Sequence, residues 1–274
     1  MNCTGEVDLY RDFYGIREKP FSKTPDPRFL FMGRGHREGF ARLQYAVEER
    51  ETALLTGGIG CGKTTMSRAL MDALGDAYRF CFVVNPKMQS LALLRTIARG
   101  LGMEMLPNAK DDLVAGLSDL LVRYHEEMVC PVVVIDEAHL IPDRDGFEEI
   151  RLLTNIQLDD RNLLSVILMG QPELAERLRH PALEPLRQRI GISFHLDPLD
   201  LEETQEYLDF RMVTAGGGSG LFTPDAVARI FDCSGGVPRR INALATNALL
   251  AGYERDATII NLAVVDEIAG EQVV

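Results

Sequence analysis

Short apolar runs alternate with helical repeats of apolar residues along the first 197 positions of the chain. The apolar runs lie at residues 52–56, 79–84, 132–135, 163–169 and 191–196, and each predicts a strand. The helical repeats lie at residues 36–50, 65–74, 89–101, 111–128 and 147–158. Alternating strands and helices are typical of a parallel sheet covered by helices, so the pattern predicts an α/β fold.

The pattern changes at Pro198. Beyond it the periodic segments are all helical, at residues 202–213, 224–231, 237–253 and 261–269. Ahead of the sheet region, residues 10–35 combine prolines with aromatic residues and predict an ordered but irregular strap. We therefore predict three segments. They are an N-terminal strap at 1–35, an α/β domain at 36–197 and a small all-helical lid at 198–274.

The link between the first predicted strand and the next helix carries the strongest chemical signal. Its sequence, GGIGCGKTT, fits the pattern G-x-x-x-x-G-K-[ST] of a phosphate-binding loop. Glycines let backbone N–H groups converge on phosphates, Lys63 can reach the β- and γ-phosphates, and the Thr64 hydroxyl can ligate Mg²⁺. The predicted nucleotide contacts of this loop are Gly57, Gly58, Ile59, Gly60, Cys61, Gly62, Lys63, Thr64 and Thr65.

A second motif follows the buried run at residues 132–135. Asp136 and Glu137 come directly after this apolar, β-branched segment, which suits a central parallel strand buried on both faces. Ligands of open α/β sheets bind at the carboxyl ends of strands. We therefore expect Asp136 to hold Mg²⁺ together with Thr64, and Glu137 to orient or deprotonate the water that attacks the γ-phosphate.

Composition and charge narrow the function. Of 274 residues 46% are hydrophobic and none is tryptophan. The formal net charge is −12, and this negative charge disfavours a protein that coats nucleic acid electrostatically. Five scattered cysteines form neither a zinc pattern nor a disulfide framework. Cys61 is interpreted either as a small residue that fits the loop or as an oxidation-sensitive thiol. Without an N-terminal signal or a run of about 18 apolar residues, the sequence predicts a cytoplasmic location.

Five segments resemble a known family. They are residues 13–21 (FYGIREKPF), 24–30 (TPDPRFL), 36–38 (HRE), 170–174 (GQPEL) and 236–242 (GVPRRIN). The phosphate loop, the Asp-Glu motif, an arginine cluster and a helical lid opening with G-x-P-R resemble the AAA+ plan. The sequences of these segments are similar to those of the ExeA/GspA-type ATPases of the general secretion pathway, although transposition ATPases share much of this sequence pattern. The resemblance implies a P-loop (AAA+) three-layer domain with an extra strand, residues 163–169, between the two motif strands.

The resemblance also implies roles for single residues. Gln171, just past the predicted strand at 163–169, matches sensor 1, which orients the attacking water; Asn155 is a weaker candidate for that neighbourhood. Arg187 and Arg189 stand where the family presents an arginine finger to the neighbouring subunit's γ-phosphate, and Arg189 is preferred. Arg239 matches sensor 2, the lid arginine that contacts the γ-phosphate in cis, with Arg240 as the alternative.

For the adenine base, the resemblance implies contacts from the strap. Phe21 is the main candidate, with Tyr14 and Ile16 beside it, and packing of the strap explains the same residues nearly as well. His36 is interpreted either as a contact to the base or as an ordinary residue at a helix start.

These residues together imply an ATP hydrolase with Mg²⁺ that binds Mg-ATP between the sheet domain and the lid and assembles as a homo-oligomeric ring. The family resemblance implies assembly of a type II (general) secretion complex in the cell envelope with a protein partner. Such relatives continue past the lid into a membrane helix, so the chain is expected to be the cytosolic part of a longer protein or a free-standing relative. The alternatives are a DNA-dependent transposition-type ATPase, or a nucleotide-gated switch or scaffold with little hydrolysis.

Overall fold

The computed structural model describes residues 6–22, 26–158 and 161–271. Cys3 and the Thr24-Pro25 part of the family resemblance lie outside the described residues. The helices, in chain order, are α1 (Glu6–Tyr14), α2 (Arg34–Glu48), α3 (Lys63–Leu74), α4 (Ser90–Gly100), α5 (Lys110–Glu126), α6 (Arg144–Leu153), α7 (Pro172–Leu178), α8 (Glu184–Arg187), α9 (Leu201–Thr214), α10 (Pro224–Ser234), α11 (Pro238–Glu254) and α12 (Leu262–Glu271). In the part of the chain that the structure describes, no helix is both long and apolar enough to cross a membrane.

The strands are β1 (Thr52–Gly57), β2 (Tyr78–Val83), β3 (Cys130–Ile135), β4 (Gln157–Leu158), β5 (Arg161–Asn162), β6 (Ser165–Gly170) and β7 (Ile190–Leu196). Five of them form one parallel sheet in the order β2-β3-β6-β1-β7, and β4 pairs with β5 in a short antiparallel ladder. The predicted extra strand is confirmed, because β6 lies between β1 and β3.

The burial of each strand follows from its place in the sheet. All six residues of β1, β3 and β6 are buried, as expected of central strands covered on both faces. In the edge strands β2 and β7, more exposed residues alternate with less exposed ones. Because the sheet is parallel, β1, β3 and β6 end at the same edge, which is where Gly57, Asp136 and Gln171 are found.

The described residues form two compact units, each with its own core. The sheet unit comprises Arg37–Gly57 and Met66–Leu196, and its core joins the central strands to the inner faces of α4, α5 and α6. The lid unit comprises the described residues up to His36, the segment Gly58–Thr65 and the described residues from Asp197 onward. The predicted boundaries of strap, domain and lid stay predictions.

The strap and the C-terminal helices share the core of the lid unit. Phe21 and Phe29 are buried with residues of α9, α10 and α11. The Arg211 guanidinium donates to the carbonyls of Pro20 and Phe29 and lies 4.7 Å from the centre of the Phe29 ring. This buried arginine satisfies strap carbonyls that have no sheet or helix partner of their own, and so holds an irregular segment in place.

Two predicted elements are corrected by the structure. The strap is not irregular at its start, since α1 continues to Tyr14 and ends where Gly15 adopts a positive φ of 66°. The helix predicted at 147–158 ends at Leu153, because the Thr154 hydroxyl turns back to the Arg151 carbonyl and the chain enters the short ladder of β4 and β5. The short helices α7 and α8 were not predicted.

Candidate active site

The phosphate loop (Gly57–Thr65) connects β1 to α3. Two of its glycines have backbone angles that residues with a Cβ rarely adopt, with φ of +85° at Gly60 and +103° at Gly62. Successive residues of such a loop can point their N–H groups toward one anion. The loop therefore has the backbone that its sequence pattern predicts for a phosphate cradle.

The two residues with phosphate and metal chemistry open α3. Lys63 is only 6% exposed, and its Nζ donates to the Gly58 carbonyl at 3.0 Å, so the ammonium lies against the loop's own backbone. Thr64 and Thr65 follow in the first turn of the helix. A buried lysine and a helix N-terminus suit phosphate, and a hydroxyl suits Mg²⁺, which keeps several waters and takes few protein ligands.

His36 supports the phosphate loop from the start of α2. The side chain is 4% exposed, and Nε2 donates to the Cys61 carbonyl at 2.9 Å. Burial lowers the pKa of His36, so the imidazole is neutral at pH 7. Burial likewise raises the pKa of the Cys61 thiol above its ordinary value. A fully buried, protonated thiol favours the interpretation of Cys61 as a small residue that fits the loop.

We expect His36 to make stability depend on pH. Because its folded pKa lies below its unfolded value of about 6.5, the unfolded chain binds the proton first as pH falls, and the free energy of unfolding decreases through and below that pH. Urea unfolding at pH 7.5 and 5.5 should show a smaller loss for His36→Gln than for the wild type. His180→Gln, at an exposed histidine, is the control. An equal loss in the wild type and His36→Gln would contradict the assignment.

Arg239 lies beside the phosphate loop within the lid unit. It is the second residue of α11, and its backbone N–H donates to the Gly60 carbonyl at 3.3 Å. The approach is close, since a Cβ on Gly60 would lie 2.6 Å from the Arg239 Cβ. The adjacent Arg240 is also exposed, and its N–H donates to the Val237 carbonyl. The structure thus brings the sensor 2 candidate to the loop, a contact across 179 positions of sequence.

Asp136 and Glu137 follow β3 at the carboxyl edge of the sheet. Asp136 is 4% exposed, and its Oδ1 accepts the Glu137 N–H at 2.9 Å. Its own N–H donates to the Val83 carbonyl on β2, which fixes the position of the carboxylate. Glu137 has φ 52° and ψ 37°, in the left-handed region. Backbone strain of this kind costs on the order of 1–3 kcal/mol and clusters at functional sites.

Gln171 follows β6, the neighbour of β3, and a histidine joins it to Glu137. His139 Nδ1 lies 3.4 Å from Glu137 Oε2, and His139 Nε2 lies 3.1 Å from Gln171 Nε2. Two predicted residues, Glu137 and Gln171, therefore meet around a third that was not predicted. The available signal was weak, since His139 merely stands two positions after Glu137 in the chain.

The arginine candidates lie just before β7. Arg187 is exposed and forms an ion pair with Glu184, whereas Arg189 is half-buried and its Nη1 donates to the Thr154 carbonyl at 3.1 Å. Arg189 also lines a cavity of about 520 Å³ together with Arg50 and Arg151. Asn155 lies ahead of the amino end of β6, while Gln171 follows its carboxyl end.

The strap residues suggested for adenine are well packed. Phe21 is 4% exposed, lies edge to face against Phe222, and lines a cavity of about 410 Å³. Ile16 is buried, and the Tyr14 hydroxyl donates to the Ala257 carbonyl at 3.0 Å. Packing in the lid unit accounts for all three positions, and their contacts with a base stay predictions.

Comparisons with known proteins agree with this geometry. Residues 47–178 match the family model of an AAA domain. The chain is 38% identical over 256 residues to General secretion pathway protein A of Aeromonas hydrophila, covering 90% of this chain and 45% of that protein. The structure resembles Cdc6p of Pyrobaculum aerophilum (TM-score 0.63, 17% identity, 88% of this chain and 67% of that one). It also resembles the Aeropyrum pernix ORC2 protein in its ADPNP-ADP complexes (TM-score 0.66, 19% identity, 93% and 71%).

A phosphate loop on a parallel sheet, with a strand inserted between the two motif strands and a helical C-terminal part, defines a P-loop protein of the AAA+ class. Within that class the chain is similar to the GspA type, which confirms the resemblance stated from the sequence. The chain spans about half the length of the relative that it matches.

Proposed function

We propose that the chain is a Mg-ATP-dependent ATPase that oligomerises and drives assembly of a general secretion complex in the cell envelope. The observation that carries the hydrolytic part is the meeting of Glu137 and Gln171 around His139, at the sheet edge where β1 leads into the phosphate loop. A switch that only binds nucleotide has no need of a carboxylate and an amide held together in this way.

In this proposal the phosphate loop binds the phosphates through its backbone N–H groups and Lys63. Thr64 and Asp136 hold Mg²⁺, which when bound neutralises charge that develops on the phosphate oxygens. Asp136 suits this role because its carboxylate is buried at a fixed position and Oδ1 already accepts one N–H.

The chain's own groups supply the remaining steps. The Glu137 carboxylate orients a water and accepts its proton, and the Gln171 amide fixes the direction of attack. Arg239 contacts the γ-phosphate in cis, which its backbone contact with Gly60 supports. When hydrolysis removes the γ-phosphate, Arg239 loses its contact with it and the lid helices change position. A partner protein would sense this change.

In this proposal Arg189 makes hydrolysis depend on the assembly of subunits. This arginine lines a cavity whose other charged residues are Arg50, Arg151 and Glu51, so basic groups outnumber acidic ones and suit an anionic group from a neighbouring subunit. An arginine supplied in trans makes turnover depend on oligomer formation. The secretion role rests on similarity to General secretion pathway protein A, of which the chain spans 45%.

The test measures ATP hydrolysis against protein concentration, with and without double-stranded DNA, using Lys63→Ala as the blank. Activity per subunit should rise with concentration and ignore DNA, because a trans arginine requires assembly whereas the proposed partner is a protein. Strong stimulation by DNA that falls steeply with salt would favour the transposition-type alternative. Hydrolysis no greater than that of Lys63→Ala at any concentration would contradict the proposal.

A further inference from the structure

His139 lies in a short 3₁₀ turn, Ala138–Leu140, directly after Glu137. Its side chain is only 13% exposed. The guanidinium of Arg177 donates to the His139 carbonyl and lies 5.1 Å from the centre of the buried Phe147 ring. On the other side, Gly170 leaves the ring its space, because a Cβ there would be 3.2 Å from His139 Nδ1. Arg177 therefore holds the backbone of His139, and the ring occupies the space beside Gly170.

The Glu137 carboxylate has one oxygen, Oε2, that a hydrogen-bond donor from His139 would satisfy. Its Oε2 is buried and has no hydrogen-bond partner among the residues that the structure describes. His139 Nδ1 stands 3.4 Å from this oxygen, at the long end of hydrogen-bond range. A buried carboxylate oxygen without a donor is costly, so a small approach of the ring toward Glu137 would be favourable.

The opposite ring nitrogen faces Gln171. The side-chain Nε2 of Gln171 lies 3.1 Å from His139 Nε2, so the amide N–H₂ donates if the ring nitrogen carries no proton. A neutral imidazole has one N–H, which then resides on Nδ1 and points to Glu137. The Gln171 backbone N–H also points to Nδ1, at 3.4 Å, and could donate to it only in the Nε2–H tautomer. In the Nδ1–H tautomer this long contact is given up, and the ring donates to Glu137 instead.

We propose that His139 is a positioning residue that carries its proton on Nδ1, donates to the Glu137 carboxylate, and accepts from the Gln171 amide. One ring thereby sets the distance and direction between the group that activates the water and the group that orients it. The role rests on the proposed ATPase function, whereas the tautomer rests on geometry alone.

The tautomer is measured first, by long-range ¹H–¹⁵N NMR of the histidine side chains in the nucleotide-free protein at pH 8. His139→Asn assigns the signal. The expected result is an Nδ1–H imidazole, the form opposite to the one that an unconstrained ring favours, and Gln171→Ala should weaken that preference. An Nε2–H imidazole in the wild type would overturn the proposal without touching the question of ATP hydrolysis.

Turnover is measured next in His139→Ala and His139→Asn. For the alanine variant kcat should fall by about 10–100-fold with KM for ATP unchanged, because misplacement of reacting groups acts on the transition state and not on nucleotide binding. Asparagine places an amide N–H near the position of Nδ1 and should recover part of the loss. Wild-type kcat in His139→Ala, or a loss that asparagine does not relieve, would overturn the role.

His180→Asn is the matched control, since His180 is exposed and caps a short turn by accepting the Ala182 N–H. Thermal melts of each variant establish that it folds. A wild-type protein that shows the Nδ1–H tautomer but never hydrolyses ATP would contradict the proposed function and leave the Glu137–His139–Gln171 geometry standing.

Discussion

Replacing Glu137 with glutamine should lower kcat for ATP by about 10²–10⁴-fold, the contribution usual for a general base. The amide cannot take the proton of the attacking water, although it has nearly the same size and fits the same left-handed backbone position. Binding of ATP should survive, because the phosphate loop and Asp136 are unchanged. The measurement is steady-state turnover together with equilibrium binding of a fluorescent ATP analogue.

Lys63→Ala is expected to lower binding as well as turnover. Its ammonium lies against the loop's own backbone, where we propose that it binds phosphate, so both nucleotide affinity and turnover should fall. For Glu137→Gln the control is Glu176→Gln, since it makes the same change from carboxylate to amide at an exposed position of α7. Wild-type turnover in Glu137→Gln would exclude Glu137 as the activating carboxylate, and loss of binding in that variant would assign it to the nucleotide contacts.

The sheet was predictable because its central strands leave a simple pattern. A strand buried on both faces reads as a continuous apolar run, and β1, β3 and β6 all do so. The order of those strands does not follow from the runs themselves. It came from Glu137 standing directly after Asp136, a family feature, and the place of β6 between β3 and β1 confirms it.

Local errors occurred where short-range polar contacts override apolar spacing. Ile156 and Leu158 continue a helix-like spacing past Leu153, but the hydroxyl of Thr154 and the following ladder end the helix. The start of the strap was obscured by the prolines that follow it. A turn or a cap determines where a helix begins or ends, and the spacing of apolar residues carries little information about turns and caps.

The contacts around the candidate site could be predicted only in part. Single motifs gave the phosphate loop and the Asp136-Glu137 pair, because each lies on consecutive residues. Arg239 at Gly60 required the family resemblance, since no periodicity relates positions so far apart. His139 was missed because its partner Gln171 reaches it only after β6 pairs beside β3. Tertiary pairing, and not local preference, creates this contact.

Arg189→Ala should lower turnover by about 10³-fold or more, the effect of removing an arginine that neutralises transition-state charge. The residue is half-buried before β7 and is held toward a cavity by its bond to the Thr154 carbonyl. Arg187→Ala, tested beside it, should have the smaller effect because that side chain is exposed and already paired with Glu184. Arg179→Ala, at an exposed arginine after α7, is the control for loss of charge.

Mixing variants tests whether Arg189 acts in trans. An Arg189→Ala subunit keeps its own Glu137, and a Glu137→Gln neighbour keeps its own Arg189, so their interface contains one complete site. In a random equimolar ring about a quarter of the interfaces are of this kind, and turnover should recover to about that fraction of wild type. The double variant Glu137→Gln/Arg189→Ala, mixed with either single variant, should recover nothing.

Co-assembly must be measured in the same mixtures, by capture of untagged subunits on a tagged partner. Without it, a lack of recovery would only mean that the variants do not meet. If the subunits co-assemble and activity does not return, Arg189 does not complete a neighbour's site. If Arg187→Ala gives the larger loss and is the variant rescued by Glu137→Gln, the finger is Arg187, and the bond between Arg189 and Thr154 serves to hold the start of β7.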